Sequence, residues 1–243
     1  MSEAWRQLGE PRAGGLLLIG DHASAHVPDD VDLGIDATLL REHIAIDIGV
    51  AEVAELLVES GAVGAAILGG VSRLVVDCNR DEDAPGAVPI ASDGHAIPGN
   101  ALDHDGREAR MARFFRPYHD HLAATIAAHR PAMILSLHSF TPSLASDPAQ
   151  ARPWQVGVLY NEDDRLAGPA IAALAGEGLI VGDQLPYSGK LLNATMNRHA
   201  EANGIPYVGI EMRQDLVSDP AGQALFAGRL SRMCSKVALN LVG

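Results

Sequence analysis

The chain has 243 residues, of which 47% are hydrophobic and 20% charged, as is usual for a globular protein. This length favours a single domain over residues 1–243. The formal net charge of −13 disfavours nucleic acid and anionic membranes as partners, because both attract basic surfaces. A few local arginines can still make one pocket attractive to a small acidic substrate.

The N-terminal segment and the two cysteines both bear on the compartment. The first residues lack a basic region followed by an apolar run, so we predict no signal peptide. No apolar stretch reaches the length of a membrane span. Two cysteines are too few for a disulfide framework, and we therefore predict a cytoplasmic protein.

Short apolar runs alternate with longer segments of helical periodicity along the chain. In chain order, strands are predicted at residues 15–19, 65–68, 74–76, 133–137, 156–159 and 207–210. Helices are predicted at residues 47–60, 107–129, 165–176, 193–203 and 221–242. This alternation predicts an α/β sandwich with a mostly parallel sheet.

Two segments interrupt this alternation. Residues 81–106 are rich in Gly, Pro, Asp and Ala, and residues 143–154 form a second irregular stretch. Long loops in compact domains often serve as lids or pocket walls, although solvated insertions are an equal alternative here.

Polar residues that can bind a metal, transfer a proton or hold a carboxylate follow four of the predicted strands. Open α/β sheets bind ligands at the carboxyl ends of their strands, so these residues are expected to share one crevice. They are Asp21, His22, Asp77, Asn79, Arg80, His138, Glu211 and Arg213.

The two histidines that follow strands, His22 and His138, favour a zinc site, since catalytic zinc takes three protein ligands and a water. The alternative for each is a hydrogen-bonded core histidine. Asp47 is the favoured third ligand, with Asp21 and His26 as rivals close to His22. Asp47 could instead cap the helix that it precedes.

Glu211 is a candidate general base, because a carboxylate beside a metal-bound water commonly has that role. Its alternative is an ion pair with Arg213. Arg80, next to Asn79, is the first candidate for binding a substrate carboxylate, since guanidinium matches that group with two hydrogen bonds. Arg73 and Arg213 are further candidates, and a structural salt bridge is the alternative for any of these arginines.

Eight segments in order carry a family resemblance. They are GDHASAHVP (20–28), HIAIDIG (43–49), SRLVVDCNRD (72–81), PGN (98–100), FRPYHDHL (115–122), LSLHSFTP (135–142), LPYSGK (185–190) and NRHAEANGIPYVGIEMRQDL (197–216). In these segments the chain resembles the N-formylglutamate amidohydrolase family.

The resemblance implies a fold related to zinc carboxypeptidases and aspartoacylase, with a mixed central sheet between two helical layers. It implies zinc-dependent hydrolysis of N-formyl-L-glutamate to formate and L-glutamate, a reaction suited to a late step of histidine breakdown. His22 and His138 correspond to metal ligands, and Glu211 to the base and proton shuttle. Asn79 and Arg80 correspond to the pair that holds a substrate carboxylate.

The chain departs from the carboxypeptidase pattern at Ala25, where a glutamate ligand would follow the first histidine by three residues. We therefore predict Asp47 as the third ligand. Family members differ in substrate, so another zinc-dependent N-acyl amino acid deacylase or a carboxypeptidase-like hydrolase is an alternative. A metal- or ligand-binding homologue without catalysis is a second alternative.

Overall fold

A seven-stranded sheet forms the centre of the protein in the computed structural model, which describes residues 3–239. The order across the sheet is β1-β3-β2-β6-β9-β7-β8. These strands are β1 (Trp5–Gly9), β2 (Leu16–Gly20), β3 (Ala65–Gly69), β6 (Met133–Phe140), β7 (Val156–Leu159), β8 (Val181–Asp183) and β9 (Tyr207–Arg213). The hairpin of β4 (Ala91–Ser92) and β5 (His95–Ala96) lies apart from the sheet.

The sheet is mixed and mostly parallel, which confirms the predicted fold class. The neighbouring strands β3, β2, β6 and β9 run parallel, whereas β1 and β7 are antiparallel to their partners β3 and β9. All eight residues of β6 are buried. Continuous burial of this kind is expected for a central parallel strand that is covered on both faces.

Two helical layers cover the sheet. The helices are α1 (Val50–Glu59), α2 (His104–Arg110), α3 (Arg116–His129), α4 (Ala167–Ala175), α5 (Ala194–His199) and α6 (Pro220–Leu239), with a π-helical turn at Met111–Phe115 between α2 and α3. Among residues 3–239, no helix combines the length and apolarity that a membrane span requires. Residues 240–242 of the last predicted helix lie outside the described residues.

Each face of the sheet has its own core because side chains alternate along a strand. Leu18 of β2 packs into the core shared by α1, α4 and α6, whereas Leu17 and Ile19 pack into the core that includes α3. Helix α1 buries positions 50, 53, 54 and 57, the spacing of an amphipathic helix face.

The predicted strand at residues 74–76 is wrong. Residues 71–80 form successive turns, although Leu74, Val75 and Val76 are all buried. The backbone is satisfied locally and by side chains, for example by Val75 N–H donating to Ser72 O and by Arg110 donating to Val75 O. A short apolar run that is buried in a turn cannot be distinguished from a buried strand by its composition, which explains the wrong prediction.

Candidate active site

The carboxyl ends of three adjacent parallel strands bring the predicted site together. His22 follows β2, and His138 of β6 lies in register beside Glu211 of β9. Asp47 lies in the connection between β2 and α1, where its backbone N–H donates to His22 O. Helix α1 has Gly49 as its N-cap, so Asp47 does not cap that helix.

His22, Asp47 and His138 form a buried cluster that could hold a metal ion, with one donor atom from each lying within 4.8 Å of the others. Asp47 Oδ2 lies 3.4 Å from His22 Nδ1 and 2.9 Å from His138 Nδ1. Ligands of a tetrahedral ion bound at about 2.0–2.1 Å lie about 3.3 Å apart. The three donors therefore fit a zinc ion without large movements. His26, a rival third ligand, is exposed outside this cluster.

A second carboxylate lies behind each histidine. His22 Nε2 is 2.8 Å from Asp77 Oδ1, and His138 Nε2 is 3.4 Å from Asp21 Oδ2. Such outer carboxylates orient metal-binding imidazoles. Both contacts leave the Nδ1 atoms facing Asp47. Asp21, the other rival ligand, is therefore placed as an orienting group.

The cluster carries an excess of buried carboxylates, which a cation would balance. Burial disfavours the charged form of His138, yet Asp21 and Asp47 raise its pKa well above the ordinary value. The raised pKa of His138 shows that the surrounding carboxylates favour positive charge at this site.

Arg73 supports the cluster from one side. Its guanidinium donates to Asp47 Oδ1 at 3.1 Å and to Asp77 Oδ2 at 3.0 Å. The side chain still reaches the cavity, being 25% exposed. Because two of its five N–H donors are held by these buried carboxylates, this geometry favours a positioning role for Arg73 over the predicted contact with substrate.

Glu211 lies beside the cluster with one oxygen unpaired. It is 8% exposed, and its Oε2 has no hydrogen-bond partner. Burial raises the pKa of Glu211 to about 7, and a cation in the cluster would lower it. A carboxylate whose pKa lies near neutral pH can both accept and return a proton. The alternative ion pair with Arg213 is not formed.

Arg213 is not brought into the pocket. Its guanidinium pairs with Asp215 at 2.8 Å and also contacts Pro153 O. Asp215 follows two residues later in the chain, so this local pair holds Arg213 away from the cavity wall. The structure therefore does not support the predicted substrate contact of Arg213.

A cavity of about 270 Å³ opens onto the cluster and Glu211. This volume is below the range of about 300–1,000 Å³ for drug-sized ligands and suits a small metabolite. Arg80 lines it with a guanidinium whose nearest acidic contact is Asp77, 3.6 Å from Nε. Asn79 lies beside Arg80, and its Oδ1 accepts from Thr195 N–H, which leaves its amide NH₂ available.

Asp93 joins the two irregular segments at the cavity wall. It lies at the tip of the β4–β5 hairpin and accepts hydrogen bonds from the backbone N–H groups of Ala145 and Ser146, each at 2.9 Å. His43 Nε2 lies 2.9 Å from the same carboxylate. Residues 81–106 and 143–154 thus meet as a pocket wall.

Several residues of the site were not assigned roles from the sequence. Asp77 contacts His22 and Asp93 contacts His43, which are 55 and 50 residues away in the chain, so no local pattern marks these roles. Tyr187 also lines the cavity. The matching segments 72–81 and 185–190 contain Asp77 and Tyr187, and that was the available signal.

The fold and the site define an α/β protein with a candidate metal centre of the kind used for amide hydrolysis. The sequence profile of the N-formylglutamate amidohydrolase family matches residues 14–218. The chain belongs to this family, which supports a hydrolase acting on an amide. A search of curated proteins finds no significant match.

Two solved structures are similar along almost the whole chain. A gene product of Agrobacterium tumefaciens has 33% sequence identity and a TM-score of 0.91, covering 99% of this chain and 96% of its own. An N-formylglutamate amidohydrolase from Ralstonia eutropha has 20% identity and a TM-score of 0.73, covering 99% of this chain and 98% of its own. The second similarity shows a shared fold.

Proposed function

We propose that the protein is a zinc-dependent amidohydrolase that cleaves N-formyl-L-glutamate to formate and L-glutamate, a reaction suited to a late step of histidine breakdown. The observation that carries the proposal is the buried His22–Asp47–His138 cluster next to Glu211. Two imidazoles and one carboxylate are a donor set typical of catalytic zinc. Family membership supports the amide bond as the target.

Zinc held by these three residues would polarise the formyl carbonyl and acidify a water. Glu211 accepts the proton of that water through its unpaired Oε2 as the water oxygen attacks the formyl carbon. When the carbon–nitrogen bond breaks, Glu211 returns the proton to the departing amine. The second proton of the water passes from the nascent formic acid to the amine, so the products are formate and the ammonium group of glutamate, and Glu211 returns to its ionised form.

The remaining residues orient the reacting groups. Asp77 and Asp21 hold the imidazoles of His22 and His138 through their Nε2 atoms. Arg80 and Asn79 bind the substrate α-carboxylate from the cavity wall, where a charge-assisted hydrogen bond contributes about 1.5–3 kcal/mol. This contact fixes the formyl group relative to Glu211.

The test is glutamate release from N-formyl-L-glutamate by purified protein, measured before chelation, after chelation and after zinc is added back. Turnover that is lost and then restored supports both the reaction and the metal. The Glu211→Gln variant is the matched control, because it keeps the three metal donors and removes the base. Absence of turnover in fully zinc-loaded protein would overturn the proposal.

A neutral N-acyl amino acid is the second candidate substrate. Arg73 is held by hydrogen bonds to Asp47 and Asp77, whereas the Arg80 guanidinium makes only a 3.6 Å contact with Asp77 and is the more available cavity arginine. One free guanidinium suffices for the α-carboxylate of a neutral substrate. A panel of N-acyl amino acids that differ in acyl size and side-chain charge separates this candidate from N-formyl-L-glutamate.

We also propose a reducing compartment, such as the cytoplasm, as the place of action. Cys78 and Cys234 are both buried and unpaired. Burial raises the pKa of both thiols, which keeps them protonated and unreactive.

A further inference from the structure

Arg152 is a buried cation for which the described residues offer no carboxylate partner. Arg152 is 5% exposed, and no carboxylate oxygen within residues 3–239 lies within 4.0 Å of its guanidinium. The guanidinium instead donates to Gln150 Oε1 at 3.0 and 3.1 Å and to Thr141 O at 3.2 Å. A buried charge is costly unless it is paired, so this positive charge is poised to attract an anion.

Tyr187 connects Arg152 to the cavity. Arg152 Nη1 donates to the Tyr187 hydroxyl oxygen at 3.1 Å, and the guanidinium carbon lies 5.1 Å from the centre of the Tyr187 ring. Tyr187 lines the same cavity as Arg80 and Glu211. The oxygen accepts from Arg152, and no residue among 3–239 accepts the phenol proton, so the hydroxyl can donate it to a ligand.

The charge of Arg152 also strengthens that donor. A hydroxyl that accepts from a cation is polarised and becomes a better donor in turn. Burial raises the pKa of Tyr187 and Arg152 opposes that rise, so the phenol keeps its proton at neutral pH. The tyrosine thereby presents to the cavity a neutral donor that has a cation behind it.

We propose that Tyr187, positioned by Arg152, forms a second anion subsite that receives the side-chain carboxylate of an acidic N-acyl amino acid. Arg80 binds the α-carboxylate, and the two subsites together select dicarboxylic substrates. This inference rests on the proposed function and adds the determinant of substrate charge that Arg73 and Arg213 do not provide. Gln150 and Thr141 hold the guanidinium without neutralising it, so its attraction for an anion is preserved.

The test compares N-formyl-L-glutamate with N-formyl-L-glutamine, which has nearly the same shape and no side-chain charge. In Tyr187→Phe, kcat/KM for the glutamate substrate should fall by about 10- to 100-fold, mainly through KM, as expected for loss of a hydrogen bond to a charged group. The glutamine substrate should change by less than about 3-fold, since a neutral amide gains little from the Arg152 charge. Tyr160→Phe is the matched control, because the Tyr160 hydroxyl bonds to Asp183 outside the cavity.

Two kinetic outcomes would overturn the subsite. An equal loss of kcat for both substrates in Tyr187→Phe would place Tyr187 at the reacting carbonyl. Unchanged kinetics in this variant would show that Tyr187 does not bind the substrate. If the wild-type protein hydrolyses neither substrate, the proposed function fails and binding tests the subsite separately. Calorimetry with glutarate and butyrate should then show a preference for the dicarboxylate that Tyr187→Phe loses, and equal binding of both acids by the wild type would refute the inference.

Discussion

Replacing Asp77 with asparagine should weaken zinc binding without removing any metal donor. Asp77 accepts from His22 Nε2 at 2.8 Å and from Arg73 Nη2 at 3.0 Å, and it holds both groups against Asp47. An asparagine of the same shape loses the negative charge that fixes the imidazole with Nδ1 towards the cluster. Removal of such an outer carboxylate typically lowers metal affinity by about 10- to 100-fold, or about 1.4–2.8 kcal/mol.

Competition with a chromophoric chelator measures this affinity directly in wild type and variant. Asp93→Asn is the control, because Asp93 also contacts a histidine, His43, which lies outside the cluster. Circular dichroism and thermal unfolding establish that both variants are folded. Equal zinc affinity in Asp77→Asn and wild type would refute the assignment of His22 Nδ1 as a donor supported by Asp77.

Three further predictions follow from the site and the core. Glu211→Gln should lower kcat by at least about 100-fold in a steady-state assay and leave zinc content unchanged, because the base acts only on the proton; turnover close to that of wild type would exclude Glu211 as the base. Arg80→Ala should raise KM for N-formyl-L-glutamate by about 10- to 100-fold with a smaller change in kcat, and an unchanged KM would contradict its contact with the α-carboxylate. Acidification should destabilise the fold through His119 and His199, which lie 2.8 Å apart and whose pKa values are lowered by burial to about 3 and about 4. The unfolded chain binds these protons below about pH 6.5, so the free energy of unfolding falls as the pH drops from there towards about 4, by up to about 2 kcal/mol per histidine at pH 5. Urea unfolding at pH 7 and pH 5 should show a smaller loss of stability in His199→Gln than in wild type. An identical loss in both proteins would exclude this pair as the cause.

The main elements of the fold could be predicted because their signals are local. The strands β2, β3, β6, β7 and β9 each contain a short, mainly apolar run, and α1 shows helical spacing of its buried positions. The edge strands β1 and β8 were not predicted, because β1 carries partly exposed residues and β8 has only three residues. Their pairing depends on the neighbouring strand more than on their own composition.

The order of the chain also indicated which residues meet at the centre of the site. His22 follows β2, and His138 and Glu211 belong to β6 and β9; these three strands are adjacent and parallel, so their carboxyl ends lie at one edge of the sheet. Asp47 was a weaker prediction, and its position against both histidines depends on the connection that leads into α1.

The sequence alone determined the types of chemical group and the strand ends on which several of them lie. Tertiary structure decided which charges pair: it placed Arg73 against Asp47 and Asp77, held Arg213 on Asp215, and left Arg152 without a carboxylate partner among residues 3–239. The pairing of Arg73 with Asp47 joins residues 26 positions apart, and it depends on distances of a few ångströms that only the folded chain sets. Periodicity and local composition do not predict those distances, so the role of each arginine can be assigned only from the folded structure.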